Sequence, residues 1–146
     1  MSLPKLLELA MQLAAAEEAA RLSKQKENKQ TKAIPRLYTY IGLKLPAVIY
    51  SDSGDGIIEE ISIISPTKEY RIEITVSKYR VLYHTWEELS SISQYVNWLA
   101  AIEDNGSYNL TLYNIRYSDG VTVNLAPTKP GSYIVNNVIV KALSYT

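Results

Sequence analysis

The residue with the most obvious chemical potential in this chain is its single histidine, His84. It stands near Tyr83 and Trp86, and the sequence has no second histidine and no cysteine. The nitrogen and sulfur ligands of a zinc site are therefore missing. A serine nucleophile that used His84 would need a Gly-x-Ser-x-Gly elbow, which does not occur in the sequence. His84 by itself identifies no reaction.

Two pairs of neighbouring carboxylates are the next candidates, Glu59 with Glu60 and Glu87 with Glu88. Adjacent side chains of a strand point to opposite faces, so Glu59 and Glu60 cannot act together on one glycosidic bond. Glu88 follows Thr85 at the spacing of a capping box, which predicts a short helix reaching about residue 92. The sequence also lacks a glycine-rich phosphate-binding motif. We therefore predict no catalytic residue and a protein that is not an enzyme.

An acidic, glycine-rich segment at residues 51–56 is the remaining candidate for a metal site. Asp52 and Asp55 could hold Ca²⁺, but the segment lacks the alternating ligand series and the closing glutamate of an EF-hand loop. We interpret it as a turn. We predict no metal site, no cofactor, and a fold that does not depend on a metal.

Composition indicates contact surfaces rather than catalysis. Fifteen basic residues balance fifteen acidic ones, which argues against general binding to nucleic acid. Twelve tyrosines and two tryptophans stand beside no phenylalanine, and tyrosine suits half-buried sheet faces and surfaces that meet a partner. Tyr83 and Trp86 are possible ligand contacts. Asn105 and Asn109 begin glycosylation acceptor triplets, which matter only if the protein is displayed outside a cell.

The element around which these residues are arranged is a pair of predicted strands within residues 56–76. The second strand alternates, with Tyr70, Ile72, Ile74 and Val76 on one side and polar residues on the other. The first, residues 57–64, is apolar on both sides, which predicts a strand that neighbours cover on both faces.

The chain after residue 37 continues as strands separated by turns. Asn105-Gly106 is a tight-hairpin signal. Eight or nine strands are predicted without the alternating helices of a parallel sheet, which favours an antiparallel β-sandwich of jelly-roll-like type. Trp98 falls inside a predicted strand at residues 95–102, and we expect it in the core.

The N-terminal region, residues 1–22, is predicted to be an assembly helix over residues 3–22. Its heptad-type seam forms the predicted assembly interface, made of Leu6, Leu9, Leu13, Ala16 and Ala20. The alternative is that this helix folds back over an open end of the sandwich. Lys5 and Glu8 interrupt the apolar run, which argues against a transmembrane span. Residues 23–36 are predicted to be a basic linker and residues 37–146 the β-sandwich domain.

The strand pattern as a whole resembles a known class of proteins. The segments at residues 56–66, 70–76, 89–93 and 101–108 are similar to small β-sandwich structural proteins in the particles of tailed phages and archaeal viruses. The resemblance covers roughly residues 56–125. It implies a virion component that assembles in copies, and it carries over no catalytic residue.

Two functions follow as hypotheses. The first is a structural protein of a virion or another extracellular assembly (a capsid, decoration or tail component), whose partners are copies of itself and other particle proteins. The second is a sandwich that binds a cell-surface carbohydrate or receptor through tyrosine and tryptophan side chains. A specific nucleic-acid partner is not expected. The positions of Trp86, Trp98 and the tyrosines distinguish the two hypotheses.

Overall fold

Nine strands and one short helix make up the part of the chain that the computed structural model describes, residues 32–145. In chain order they are β1 (Ala33–Lys44), β2 (Ala47–Asp52), β3 (Asp55–Ser65), β4 (Tyr70–Val76), β5 (Tyr79–Thr85), α1 (Trp86–Ser93), β6 (Leu99–Asp104), β7 (Ser107–Tyr117), β8 (Val121–Pro127) and β9 (Ile134–Tyr145). The prediction of a mainly β protein is confirmed. The predicted N-terminal helix and its residues Leu6, Leu9, Leu13, Ala16 and Ala20 lie outside the described residues.

The strands form two antiparallel sheets. The five-stranded sheet has the order β1-β9-β3-β7-β6, and the four-stranded sheet has the order β2-β8-β4-β5. The pairs β1–β9, β2–β8, β3–β7 and β4–β5 are successive parts of one antiparallel double ribbon that passes from one sheet to the other. The predicted antiparallel sandwich is thus confirmed.

The core lies between the two sheets and follows the period of two in the strands. The five-stranded sheet contributes the buried Ile58, Ile61 and Ile63 of β3, and the four-stranded sheet contributes Ile72 and Ile74 of β4. Fully burying one such side chain contributes about 1.5–3 kcal/mol. Since these side chains come from both sheets, their burial holds the sandwich together.

Two local predictions are confirmed by backbone geometry. Asn105 and Gly106 connect β6 to β7 with φ values of 49° and 80°, the positive angles that a tight two-residue hairpin requires. Thr85 caps α1 in a capping box with Glu88, as the spacing predicted. Of the turn predicted at residues 51–56, only Ser53 and Gly54 lie between strands, since β2 ends at Asp52 and β3 begins at Asp55.

Three predictions about strand limits and facing are wrong. β1 begins at Ala33, so residues 33–36 belong to a strand and not to the linker. β6 begins only at Leu99, since α1 and the turn after it occupy the chain before that point. Leu99 faces the core opposite Leu112, so alternation turns Trp98 outward, and it is 37% exposed instead of buried.

Candidate functional site

Tyr83, a predicted ligand contact, lies on the outer face of the four-stranded sheet. The guanidinium carbons of Arg80 and Arg71 are 3.9 and 4.5 Å from the centre of its ring. Arg71 also donates a hydrogen bond to the Tyr83 hydroxyl at 2.9 Å, and Arg80 forms an ion pair of 3.1 Å with Glu73. The ring is 40% exposed, but its surroundings are already occupied by cations that attract it.

Trp86, the other predicted contact, lies in the core as the first residue of α1. It is 6% exposed, and its indole Nε1 donates to the backbone oxygen of Asn109 at 3.1 Å. Its ring meets that of Tyr108 edge to face, with 5.1 Å between centroids. The structure therefore does not bring Trp86 and Tyr83 together on one surface, and little of the indole is left to contact a ligand.

His84 and Glu88 are neighbours at the start of α1. His84 Nδ1 lies 3.3 Å from Glu88 Oε2, while Glu88 Oε1 accepts the backbone N–H of Thr85 at 3.1 Å. The hydrogen bonds from the Thr85 backbone and from His84 lower the pKa of the Glu88 carboxyl. Glu88 acts as a helix cap, the role that its spacing predicted.

A polar cluster that joins the two sheets surrounds Asp52 at the end of β2. Tyr117 of β7 donates to Asp52 Oδ2 at 2.5 Å, and Ser144 of β9 donates to the same oxygen at 2.7 Å. The Gly54 N–H donates to Oδ1 at 3.2 Å. Since the Tyr117 proton is committed to Asp52, the Tyr50 hydroxyl, 2.9 Å away, is the donor to Tyr117.

The electrostatics of this cluster favour a charged Asp52. Burial alone would raise its pKa, but the hydrogen bonds from Tyr117, Ser144 and the backbone outweigh burial and lower it. Burial and the bond to Asp52 raise the pKa of the Tyr117 hydroxyl. A carboxylate held ionised in this way is a poor proton donor near neutral pH. The arrangement stabilises the contact between the sheets and offers no acid–base pair.

Neither a metal centre nor a membrane span is found among residues 32–145. No group of three or more histidine and carboxylate side chains converges there on a possible metal position. Asp55, the second acidic residue of the 51–56 segment, accepts the backbone N–H of Asp119 at 3.0 Å. None of the helices in this part of the chain has the length and apolar character needed to cross a bilayer.

The outer face of the five-stranded sheet is the most distinctive surface of the described residues. The register of the strands places a set of large apolar side chains on it, interleaved with polar ones such as Asn137, Ser62 and Thr111. The apolar side chains are Leu37, Ile41, Ile57, Ile64, Trp98, Ile102, Tyr113, Ile139 and Leu143. Leu37 is 66% exposed and Ile41 is 81% exposed. The central charges on this face, Lys141 and Glu60, form an ion pair of 3.5 Å with each other.

A shallow depression crosses one end of this outer face. It has a volume of about 330 Å³ and is lined by Ile64, Ile102, Asn109 and neighbouring polar residues. Asn105, the first residue of one glycosylation triplet, lies at the exposed hairpin tip beyond it, and Asn109 accepts a hydrogen bond from Ser107. The depression is too open and too mixed in character to define a small-molecule pocket.

The outer face of the four-stranded sheet is more polar. Its central row consists of Val48, Asn124, Glu73 and Tyr83, and threonines and arginines flank that row. This is the usual alternation of a sheet with one face toward water. The two outer faces of the sandwich therefore differ in degree, since the five-stranded sheet carries more large apolar side chains on its outer face.

Residues 57–64 of β3 connect the apolar side chains of this outer face with the sequence pattern. Their two-sided apolar pattern predicted a strand covered on both faces. In the described residues the inner side is covered by the other sheet, while Ile57 is half-buried and Ile64 is exposed on the outer side. The outer cover that the sequence predicts is not found within residues 32–145.

Comparison with known proteins gives no match to any protein-family model, and the search of curated proteins finds no significant relative. Function is therefore inferred from the residues of this chain.

Sequence reasoning missed the Asp52 cluster and the outer face as a surface. Asp52 is 65 positions from Tyr117 and 92 from Ser144, so no local pattern connects them. The outer face did leave a signal, namely the two-sided apolar pattern of β3. A strand that is apolar on both sides, in a sandwich of only two sheets, indicates that one of its sides lies on an outer surface.

Proposed function

We propose that this protein is a non-enzymatic structural protein that assembles in copies, as a component of a virion or a similar extracellular assembly. The observation that carries the proposal is the apolar outer face of the five-stranded sheet. Large exposed apolar surfaces on a soluble protein mark sites of interaction. The outer face of the four-stranded sheet also exposes Val48 and Tyr83, but large apolar side chains are fewer there than on the five-stranded sheet.

The strand order supports a finer assignment of the fold to the jelly rolls. In a jelly roll, a double ribbon folds over so that consecutive ribbon pairs alternate between two sheets, and the pairs β1–β9, β2–β8, β3–β7 and β4–β5 follow that plan. Here β6 is an additional strand beside β7. Jelly rolls occur in virus capsids and also in lectins, so the fold agrees with both functions considered from the sequence.

Within this proposal, the N-terminal residues supply a second assembly element. The seam of Leu6, Leu9 and Leu13 with Ala16 and Ala20 is suited to packing against helices of other copies or of other particle proteins. Joining a helix of this kind to a sandwich with one apolar face gives each copy two separate means of contact. The resemblance to particle proteins of tailed phages and archaeal viruses favours a capsid, decoration or tail position.

The alternative function, binding of a surface carbohydrate or receptor, depends on aromatic rings with a free face. Sugars stack on such faces, whereas the Tyr83 ring is flanked by Arg71 and Arg80 and the Trp86 ring is buried. Trp98 and Tyr113 are neighbours on the outer face of the five-stranded sheet, and Tyr113 lies opposite Glu60. The most exposed tyrosines, Tyr79 and Tyr95, belong to separate segments of the chain. The two residues predicted as ligand contacts therefore give the alternative little support.

The test is the mass of the full-length protein by light scattering over a wide concentration range, followed by electron microscopy of the same samples. The expected result is a multimer that changing Ile64 to Glu on the outer face weakens. The control is Asn124→Glu on the polar outer face, which should leave the mass unchanged. A monomer at every concentration, together with specific retention on a glycan array, would replace the proposal with the alternative.

A further inference from the structure

The first strand of the sandwich is an unusually open sheet edge. β1 runs for twelve residues and pairs with β9 on one side. On its other side no strand of the described residues pairs with it. An edge of this length presents a row of unpaired backbone N–H and C=O groups that can pair with another chain.

The other three edges of the sandwich carry the usual protective features. β6 is six residues long, ends in Glu103 and Asp104, and is packed by α1. β2 is equally short and has a register break between Val48 and Tyr50. β5 has a break opposite Ile74 and Thr75 and carries an ion-paired arginine. Short length, bulges and charges are the devices that block edge pairing.

β1 has few of these devices in its middle. Between Pro35 and Gly42 the single charged residue is Arg36, and the next five residues are Leu37-Tyr38-Thr39-Tyr40-Ile41. The segment is symmetric about Thr39: a tyrosine stands on each side of it, and a large aliphatic residue stands beyond each tyrosine. An antiparallel pair of identical strands centred on Thr39 would therefore match like with like.

We propose that β1 pairs antiparallel with β1 of a second copy, about a two-fold axis at Thr39. Leu37 then faces Ile41 of the second copy, Tyr38 faces Tyr40, and the two Thr39 residues face each other. Threonine pairs are favourable in opposed strands, while Tyr38 and Tyr40 keep their contacts with Tyr50 and the Ile49 carbonyl of their own copy. The contact is isologous, since the same patch serves on both copies.

The limits of the symmetric stretch fit the same arrangement. Pro35 has no N–H to donate, so it ends a ladder at one side. Gly42, with φ of 62°, ends it at the other side, and no atom lies within 4 Å of the position where its Cβ would stand. In the proposed register Gly42 stands opposite Arg36 of the second copy.

This inference rests on the proposed function and makes it more specific. From residue 35 to residue 41, one outer face measures about 20 Å along the strands and about 20 Å across them, or about 400 Å². A stable interface buries about 800 Å² on each partner. Joining two five-stranded sheets at β1 gives one ten-stranded sheet with an outer face of that size. Pairing of the β1 edges thus creates a joined outer face that is large enough for a stable contact with further copies.

The absence of cysteine from the whole sequence allows a direct test with engineered disulfides. Thr39 is exposed on β1, and directly opposed residues of an antiparallel pair have Cβ atoms about 4.5–5.5 Å apart, near the range a disulfide spans. Full-length Thr39→Cys should therefore form a covalent dimer under mild oxidation. Leu37→Cys and Ile41→Cys should cross-link when mixed, and each should remain uncross-linked alone.

Matched controls separate edge pairing from contact between faces. Asn124→Cys lies on the outer face of the four-stranded sheet and should give no dimer. Ser62→Cys lies in the middle of the outer face of the five-stranded sheet. If Ser62→Cys cross-links and the β1 variants do not, the edge inference is overturned while assembly in copies stands. If no variant cross-links and the parent is monomeric by light scattering, both the inference and the proposed function fall.

Circular dichroism of each variant confirms that it is folded before cross-linking is measured.

Discussion

At the scale of single residues, the two tryptophans divide the sandwich into core and surface. Trp86 is buried against Tyr108 and holds a hydrogen bond to Asn109, while Trp98 faces outward beside Tyr113. The sequence predicted the opposite placement, with Trp98 in the core and Trp86 available to a ligand. The one-residue alternation of a strand decides which face a side chain takes, so a small error in the strand start moves a tryptophan from inside to outside.

Trp86→Ala is expected to lower the free energy of unfolding by about 3–5 kcal/mol, because it leaves a large cavity and an unpaired backbone oxygen. Trp98→Ala is expected to change it by about 0.5 kcal/mol, as is usual for exposed side chains. Urea unfolding followed by far-ultraviolet circular dichroism measures both. Equal losses for the two variants would contradict the assignment of core and surface.

Tyr117→Phe removes a hydrogen bond to a carboxylate and is expected to cost about 1.5–3 kcal/mol at neutral pH. Tyr113→Phe is the control, since its ring lies exposed on the outer face. Thermal unfolding of the two variants beside the parent is the measurement. A Tyr117→Phe protein as stable as its Tyr113→Phe counterpart would show that the Asp52 cluster does not hold the sheets together.

The same cluster predicts a pH dependence of stability. The folded pKa of Asp52 lies below its ordinary value of 3.8, so its contribution is present above that value and is lost as the pH falls from there toward the lower folded value. The parent should thus lose stability below about pH 4, and Asp52→Asn should lose less over the same interval. Unfolding curves from pH 7 to pH 2.5 test this, and parallel curves for both proteins would count against it.

At the scale of elements, α1 shows how far local sequence determines local structure. Thr85 and Glu88 satisfy each other's backbone groups, and their spacing was enough to predict the helix start. The hairpin at Asn105-Gly106 was predictable for a similar reason, because few residues adopt its positive φ angles. Elements whose limits depend on partners far along the chain, such as β1 and β6, were predicted less well.

Thr85→Ala is expected to destabilise the protein by about 1 kcal/mol, since the N–H of Glu88 loses its acceptor. Thr85→Ser keeps a hydroxyl at the same position and should restore most of the loss. Chemical denaturation of the three proteins is sufficient. An alanine variant with unchanged stability would mean that solvent replaces the cap at no cost.

Gly56 in β3 is required by packing rather than by backbone angle. A Cβ added there would overlap the Leu143 carbonyl oxygen and the Tyr117 ring. Gly56→Ala is therefore expected to cost about 1–3 kcal/mol, whereas Gly54→Ala, with its nearest atom 3.7 Å away, should be tolerated. Melting temperatures of the pair decide the point, and a Gly56→Ala protein that melts with the parent would show that β3 and β7 can separate without loss.

At the scale of the whole molecule, the sandwich could be predicted and its uncovered face could not. The class of fold followed from alternating strands such as β4, because a period of two is visible within seven residues. The pairing of β1 with β9 and the turning of Trp98 toward solvent depend on contacts between distant segments, which a single sequence does not reveal. The two-sided apolar pattern of β3 predicted a strand covered on both faces, but residues 32–145 cover only its inner face.

Deletion of residues 1–31 is expected to leave the sandwich folded, because Ala33–Tyr145 form one unit with its own core. The deletion ends before β1, since removing residues 33–36 would shorten the edge strand. Its β-sheet circular dichroism should match that of the parent, and its multimers should be smaller if the predicted helix is a separate assembly element. Precipitation or unfolding of the truncated protein would place that helix in the core instead.

Ala33 and Tyr145 stand directly opposite each other at one end of the β1–β9 ladder. Tension applied between Ala33 and Tyr145 pulls perpendicular to the strands, so the hydrogen bonds of the ladder break one after another. Shear along the strands would have to break many of them at once. The sandwich should therefore unfold at a lower force when it is stretched between these two residues than when it is pulled along the strands.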